Sequence, residues 1–197
     1  MAEATLLDTC IFPLNTVLFP DGVLRLRVFE QRYLEMTKRC LREERPFGVC
    51  LITEGEEVGT PAVPAPVGCL AAIAQWDMPQ LGVFALATRG VQRFRILESS
   101  VGASGLITAA VDIWPADVAV APVDKGCRDF LKRLIERVGS EHFPAPVRLD
   151  DAAWVGYRLA EILPLPNAAR QALLEMRDAT ERLQRLREML TAQGLID

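Results

Sequence analysis

The hydrophobic pattern of this chain changes once, and this change constrains the fold more than any other feature. Up to about residue 115, apolar and polar residues alternate in short runs separated by Pro and Gly, as in strands with one buried face. In the remaining residues, apolar side chains recur at helical spacing. We therefore predict an α+β protein with a strand-rich subdomain over residues 1–117, a helical subdomain over residues 124–197 and a linker across residues 114–124.

Several segments of the first subdomain have the period of two expected of strands. They are residues 23–28, 92–96 and 106–113. Two further apolar runs, 67–76 and 81–88, flank Asp77-Met78-Pro79-Gln80 and predict a hairpin whose turn lies at these four residues. Short strands at this spacing favour a barrel or a closed, strongly bent sheet.

One helix and one long loop are predicted within the strand-rich half. Four apolar residues share the same face of the helix: Phe29, Tyr33, Met36 and Cys40. The helical pattern ends at Pro46. Residues 55–68 are rich in Gly and Pro, and we expect an exposed loop without regular structure there.

The helical half contains four amphipathic segments with recognisable ends. The first ends at Gly139, and Asp150 or Asp151 begins the second. Asn167 is the expected cap of a third, short helix, and Asp178-Ala179-Thr180-Glu181 resembles a capping box that opens the last. These segments predict a small helical bundle.

Charge and targeting signals limit the partners of the chain. Its 22 Lys and Arg residues face 26 Asp and Glu residues, a net charge of -4, which argues against general attraction to nucleic acid or anionic membranes. No apolar run approaches the ~20 residues of a spanning helix, and residues 1–5 do not resemble a secretory signal. The five cysteines form no C-x-x-C motif and are expected to be reduced core thiols, in keeping with a cytoplasmic location.

The chain offers few residues for catalysis or metal binding. Its single histidine, His142, has no evident partner, and we interpret it as a surface residue. No serine lies in a G-x-S-x-G or S-x-x-K pattern, and neither a phosphate-binding loop nor a dinucleotide fingerprint is present. We therefore predict a non-catalytic protein that uses no cofactor and no metal.

Arginine predominates among the basic residues of the strand-rich half. Five arginines lie in or beside predicted strands: Arg25, Arg27, Arg89, Arg93 and Arg95. On neighbouring strands they would form a stripe able to bind carboxylates or phosphates. The alternative is that they face outward from a barrel, pair with acidic residues and discourage pairing between strand edges.

Motifs along nearly the whole chain resemble one known family. They include FPLNTVLFPDG (residues 12–22), LRLRVFEQRY (24–33), ATRGVQRFRI (87–96) and LAEILPLP (159–166). In this order they resemble the amino-terminal substrate-binding domain of the Lon protease family. The resemblance implies a PUA-like pseudo-barrel with one embedded helix, followed by a helical bundle. The chain is similar to a standalone family member that lacks the ATPase and Ser-Lys peptidase domains.

The resemblance also implies a function, namely recognition of exposed or unfolded polypeptide, with an adaptor or quality-control role and a capacity to form homo-oligomers. The candidate contacts lie at the predicted hairpin tip and at the turn before the first helix: Phe29, Glu30, Arg32, Tyr33, Met78 and Leu81. Phe29 and Tyr33 have an alternative interpretation as core residues, and Glu30 and Arg32 as residues that hold the helix start.

Two rival functions stay open. PUA-like barrels elsewhere bind RNA, and the arginine stripe offers contacts to its backbone, although the net acidity of the chain argues against this. A small-ligand pocket is the other alternative, with Trp76, Trp114 or Trp154 as an apolar wall.

Overall fold

Two units, Met1–Pro115 and Ala116–Asp197, divide the chain in the computed structural model, which describes residues 4–117 and 122–197. The middle of the predicted linker, residues 118–121, therefore lies outside the described residues. Residues 1–3, part of the amino-terminal segment that does not resemble a secretory signal, also lie outside the described residues.

The described residues of the first unit form six strands and one helix. The elements are β1 (Ala4–Leu14), β2 (Val23–Val28), α1 (Gln31–Glu43), β3 (Phe47–Glu54), β4 (Val63–Gln80), β5 (Val83–Val101) and β6 (Ile107–Ile113). The strands are ordered β2-β5-β4-β3-β1-β6, and β5 pairs with β6 as well. That additional pairing closes five strands, β5, β4, β3, β1 and β6, into a barrel.

The long strand β5 belongs to two parts of the sheet. Its first residues pair with β2, from Val23 opposite Arg89 to Val28 opposite Phe84. Its last residues pair with β6, from Phe94 opposite Ile113 to Val101 opposite Ile107. Strand β2 therefore lies outside the closed ring, and among the described residues β5 is its only partner strand.

Small residues make room for the interior of the barrel. The ring of Phe94 is fully buried there with Ile11, Leu70 and other apolar residues. A Cβ at Gly48 would lie 2.6 Å from Cζ of Phe94, and a Cβ at Gly68 would lie 2.8 Å from the same atom. The two glycines on β3 and β4 thus provide the volume that the aromatic ring fills.

A second apolar core lies between α1 and the sheet. The ring of Tyr33 stacks on Phe12 of β1 at a centroid distance of 3.9 Å, and Met36 is fully buried. The amphipathic pattern of α1 therefore buries the face predicted from the sequence. Phe29 is the exception, because the helix starts after Glu30 and leaves the Phe29 side chain 54% exposed.

The hairpin of β4 and β5 is longer than predicted. Its turn is Leu81-Gly82, where Gly82 has a φ of 81°, and Asp77-Met78-Pro79-Gln80 belong to β4. The register shifts between Asp77 and Gln80, and such a bulge accommodates Pro79, which lacks an N–H for the ladder. At its other end β4 begins at Val63, so the irregular loop predicted over 55–68 is shorter than expected.

The second unit is helical. It contains α2 (Lys125–Val138), a single 3-10 turn (Ser140–His142), α3 (Ala152–Ile162), α4 (Asn167–Glu175) and α5 (Ala179–Ala192). Side-chain oxygens cap three of the helices: Asp124 accepts from the N–H of Cys127, Asp151 from Trp154 and Asp178 from Thr180. The predicted cap Asn167 is instead the first residue of α4, and the N-cap position is occupied by Pro166, which gives no side-chain cap hydrogen bond.

A buried arginine organises the interior of this unit. The Arg182 side chain is fully buried, and its Nη1 lies 2.8 Å from Oδ2 of Asp117. Its Nε donates to the carbonyl of Leu173 at 2.9 Å, and its Nη2 donates to the carbonyl of Met176. The hydroxyl of Tyr157 donates to the same Asp117 oxygen at 2.7 Å. The charge is therefore compensated by an acid and by backbone carbonyls.

Candidate functional site

The tip of the β4–β5 hairpin carries exposed apolar side chains. All residues from 74 to 82 are exposed. Leu81 in the turn is 96% exposed, and Trp76 is 55% exposed although its ring meets Phe84 edge-on at 5.7 Å. Met78, between them on β4, is 40% exposed. The tip therefore offers apolar area that the described part of the first unit leaves uncovered.

The second feature of this surface is the outer edge of β2, called the free edge because none of the described strands pairs with it. Backbone N–H and C=O groups along such an edge can pair with an added extended chain. Leu24 and Leu26 turn towards the core and are half-buried, whereas Val23, Arg25 and Arg27 alternate with them and are exposed. The period of two predicted from the sequence therefore separates a core face from an outer face.

On the outer face, an open groove of about 470 Å³ runs between β2 and β4. Its floor is formed by the small residues Ala85 and Ala87 of β5, which lie opposite Arg27 and Arg25. Gln75 and Asp77 of β4 line the other side, and the Asp77 carboxylate accepts a hydrogen bond from the N–H of Met78 at 2.7 Å. This face is thus bordered by two arginines on one side and one carboxylate on the other.

The turn before α1 is a structural element rather than an open contact surface. The Arg32 side chain is 5% exposed, forms an ion pair with Glu30 at 3.0 Å and lies over the Tyr33 ring at 4.7 Å. Tyr33 is buried against Phe12, and this burial raises the pKa of its hydroxyl. Of the four candidate residues in this turn, Phe29 alone presents a largely exposed side chain.

The five arginines singled out in the sequence do not share one environment. Arg25 and Arg27 are exposed on the outer face, next to Arg89, which binds Asp21 at 2.6 Å. Arg93 is 3% exposed and lies 5.2 Å from the Trp114 ring. Arg95 is exposed where β5 pairs with β6, opposite Asp112. Because Arg93 is buried, it does not extend the exposed group.

The tryptophans also occupy different surroundings. Trp114 is buried in the first unit and Trp154 in the second, whereas Trp76 is exposed at the hairpin tip. Only Trp76 thus offers an open aromatic surface among the three.

A pair of thiols, not anticipated from the sequence, lies between β1 and α1. Cys10 and Cys40 are both buried, and Nη1 of Arg39 donates to Sγ of Cys10 at 3.8 Å. The neighbouring Cys40 thiol and the Arg39 guanidinium lower the pKa of the Cys10 thiol to about 7. The pKa of Cys40 is raised in turn by its proximity to Cys10 and by burial.

His142 lies on the surface, with Nε2 3.8 Å from the carboxylate of Glu141. Within residues 4–117 and 122–197, no three or more His, Cys, Asp or Glu side chains cluster as metal ligands would. Across the same residues, none of the helices has both the length and the apolar character needed to span a membrane.

Comparison with known proteins places this fold in a family. The family described as the ATP-dependent protease La (LON) substrate-binding domain matches residues 9–192. The chain belongs to this family. The match includes β2, the β4–β5 hairpin and the helical unit, so the Lon substrate-binding domain accounts for nearly all of the described elements.

Solved structures agree with this assignment. The Lon N-terminal domain protein from Xanthomonas campestris is 36% identical, and the match covers 92% of this chain and 97% of that one with a TM-score of 0.77. The N-terminal domain of the Mycobacterium avium complex Lon protease shares the fold at 19% identity, with a TM-score of 0.65 over 91% of this chain and 95% of that one.

A longer relative matches as well. Lon protease 2 of Herpetosiphon aurantiacus is 27% identical over an alignment of 203 residues that covers 98% of this chain. The chain spans 25% of the length of that relative. The similarity therefore concerns the substrate-binding domain, and the remaining three quarters of the longer protein have no counterpart in the match.

Proposed function

We propose that this Lon substrate-binding domain binds exposed, extended segments of other polypeptides and has no catalytic activity of its own. The observation that carries the proposal is the free edge of β2 beside the apolar tip of the β4–β5 hairpin. The names of the relatives, a substrate-binding domain and Lon proteases, support the same class of ligand.

The two features supply complementary interactions. Main-chain hydrogen bonds to the β2 edge hold a segment without regard to its sequence, as a binder of many unfolded chains requires. Apolar side chains of the segment can cover Trp76, Met78 and Leu81, which are exposed on the β4–β5 hairpin. Because β5 also pairs with β2, with Val28 opposite Phe84, the hairpin tip lies near the end of β2. Unfolded polypeptides offer both unpaired backbone and apolar side chains, whereas folded proteins bury most of them.

The cellular role proposed here is that of an adaptor in cytoplasmic protein quality control. A domain that holds exposed segments can present them to a separate protease or chaperone, and it needs no catalytic group to do so. The β2 edge can also pair with a second copy of this chain, which is how a homo-oligomer would form.

A titration tests the proposal. A fluorescently labelled, reduced and alkylated model polypeptide is titrated with the protein and followed by anisotropy, beside the same polypeptide in its folded form. We expect binding of the unfolded form only, and a loss of about tenfold in affinity for Met78→Asp/Leu81→Asp, because burying apolar area no longer favours the complex.

The matched control is Val58→Asp/Val138→Asp, which adds the same charge at exposed apolar positions outside the hairpin and should bind as the parent does. Single-stranded RNA is the rival ligand in the same assay. RNA binding that falls steeply with salt, together with no binding of the unfolded polypeptide, contradicts the proposal.

A further inference from the structure

We propose that the β2 edge prefers extended segments with carboxylates at alternate positions, read by Arg25 and Arg27. This inference rests on the proposed function, since it specifies which polypeptides the edge takes best. It concerns the outer face of β2 and not the apolar hairpin tip.

The first observation is that these two arginines bind no carboxylate among the residues that the structure describes. Arg25 and Arg27 are exposed, and neither forms a hydrogen bond or ion pair with any residue that the structure describes. Other arginines of the same unit are engaged: Arg32 with Glu30, Arg39 with Asp8 and Glu43, and Arg89 with Asp21. The guanidinium groups of Arg25 and Arg27 therefore remain available to a ligand.

The second observation is their place on the strand. Residues two apart on a strand point to the same side and are separated by about 7 Å, while a strand added at the edge would lie about 4.8 Å away with the same side-chain period. Arg25 and Arg27 would thus face side chains at positions i and i+2 of an added segment. Opposite charges placed across strands in this way stabilise the pairing.

The third observation is the space beside the arginines. Ala85 and Ala87, the cross-strand partners of Arg27 and Arg25, form the groove floor and leave the guanidinium groups uncovered. The carboxylate on the far side of the groove belongs to Asp77 of β4, with β5 between it and β2. Acidic residues of a bound segment are therefore attracted by the two arginines when the segment lies along β2, and they would be repelled by the Asp77 carboxylate if it lay over β4.

The experiment compares three short fluorescein-labelled peptides that differ at two alternate positions within a Thr and Val background: Glu, Gln and Lys. At low salt, the Glu peptide should bind about fivefold more tightly than the Gln peptide, as two exposed cross-strand charge pairs allow, and the Lys peptide more weakly than either. The advantage of Glu should shrink as salt rises.

Charge reversal then identifies the groups responsible. In Arg25→Glu/Arg27→Glu the order should invert, with the Lys peptide bound best, while binding of the Gln peptide stays near the parent value. The control Arg133→Glu/Arg137→Glu makes the same change in net charge at exposed positions of α2 and should leave the parent order unchanged.

Three results would overturn the inference. One is equal binding of the Glu and Gln peptides. Another is a Glu preference that persists in Arg25→Glu/Arg27→Glu. The third is single-stranded RNA binding that depends on these two arginines and excludes the peptides. Equal binding of Glu and Gln peptides that still weakens in Met78→Asp/Leu81→Asp leaves the proposed function intact, whereas the absence of binding by every peptide and by unfolded polypeptide contradicts both.

Discussion

Alanine substitutions at Gly48 and Gly68, the two strand glycines that face Phe94, should respond differently when Phe94 is shortened to Leu. Gly48→Ala places a Cβ 2.6 Å from Cζ of Phe94 and 2.8 Å from Cδ1 of Ile11, which are both side-chain atoms. Gly68→Ala also approaches Phe94, but its nearest neighbour is the carbonyl oxygen of Val49, a backbone atom in the paired strand β3. Shortening Phe94 removes the nearest contact of a Cβ at position 48, whereas the nearest contact of a Cβ at position 68, the Val49 carbonyl oxygen, remains.

The magnitudes follow from the packing. Each Ala substitution should lower the free energy of unfolding by about 2 kcal/mol, the usual cost of adding a methyl group to a filled core. Phe94→Leu alone should cost about 1–2 kcal/mol, because the ring leaves unfilled volume. The double variant Gly48→Ala/Phe94→Leu should be more stable than the sum of its two single losses predicts, by about 1 kcal/mol or more. For Gly68→Ala/Phe94→Leu this difference should be less than about 0.5 kcal/mol.

Urea unfolding followed by far-UV circular dichroism measures these differences. The matched control is Gly102→Ala, whose Cβ would meet the carbonyl oxygen of Leu106 at an ordinary 3.5 Å and should change stability by less than about 0.5 kcal/mol. Equal rescue of both glycine variants by Phe94→Leu, or a neutral Gly48→Ala, would refute the reasoning that the ring occupies the space of the missing Cβ atoms.

Three further predictions concern single side chains. Arg182→Leu should lower the free energy of unfolding by about 3–5 kcal/mol, because it removes the cation that lies 2.8 Å from the buried Asp117 carboxylate. The exposed Arg185→Leu should change it little, and thermal unfolding compares the two. Asp151→Ala should lower the free energy of unfolding by about 1 kcal/mol, because the hydrogen bond from the Trp154 N–H is lost. The control Asp150→Ala, at a neighbouring residue that caps no helix, should cost much less in the same assay. Equal losses would contradict the cap assignment. The alkylation rate of Cys10, mapped by mass spectrometry, should rise as pH passes about 7, where its thiol ionises. Cys40→Ala should move this rise to higher pH. An unchanged pH profile would show that Cys40 does not stabilise the Cys10 thiolate.

Patterns of consecutive residues in the sequence correctly predicted the strands and helices that such local patterns determine. The period of two over β2 and the helical face of α1 are properties of consecutive residues, and both are observed. The start of the helical pattern was less informative at Phe29, because its apolar side chain fits the helical spacing although α1 begins only at Gln31. At the hairpin, polar residues and Pro79 interrupt the alternation while pairing with β5 continues through a bulge.

The candidate site depends on contacts that no local pattern contains. The free edge of β2 follows from the strand order, which joins residues distant in sequence. Arg93 has the alternating position of an exposed strand residue, yet it is buried beside Trp114. The pairing of Cys10 with Cys40 likewise joins a strand to a helix. For the hairpin tip the apolar residues Met78 and Leu81 were the signal, and their exposure agrees with the expectation from the sequence.

The position of β2 outside the barrel also determines how the first unit opens. Each strand of the closed ring is held by at least two ladders, whereas β2 is held by one, along six residue pairs with β5. Detaching β2 therefore breaks a single ladder and leaves the ring intact, so its amides should exchange with deuterium faster than those of β3 or β4. A segment bound along the outer edge would give β2 a second ladder. Slower deuterium uptake in residues 23–28 would then report occupancy directly, with the ring strands as an internal reference.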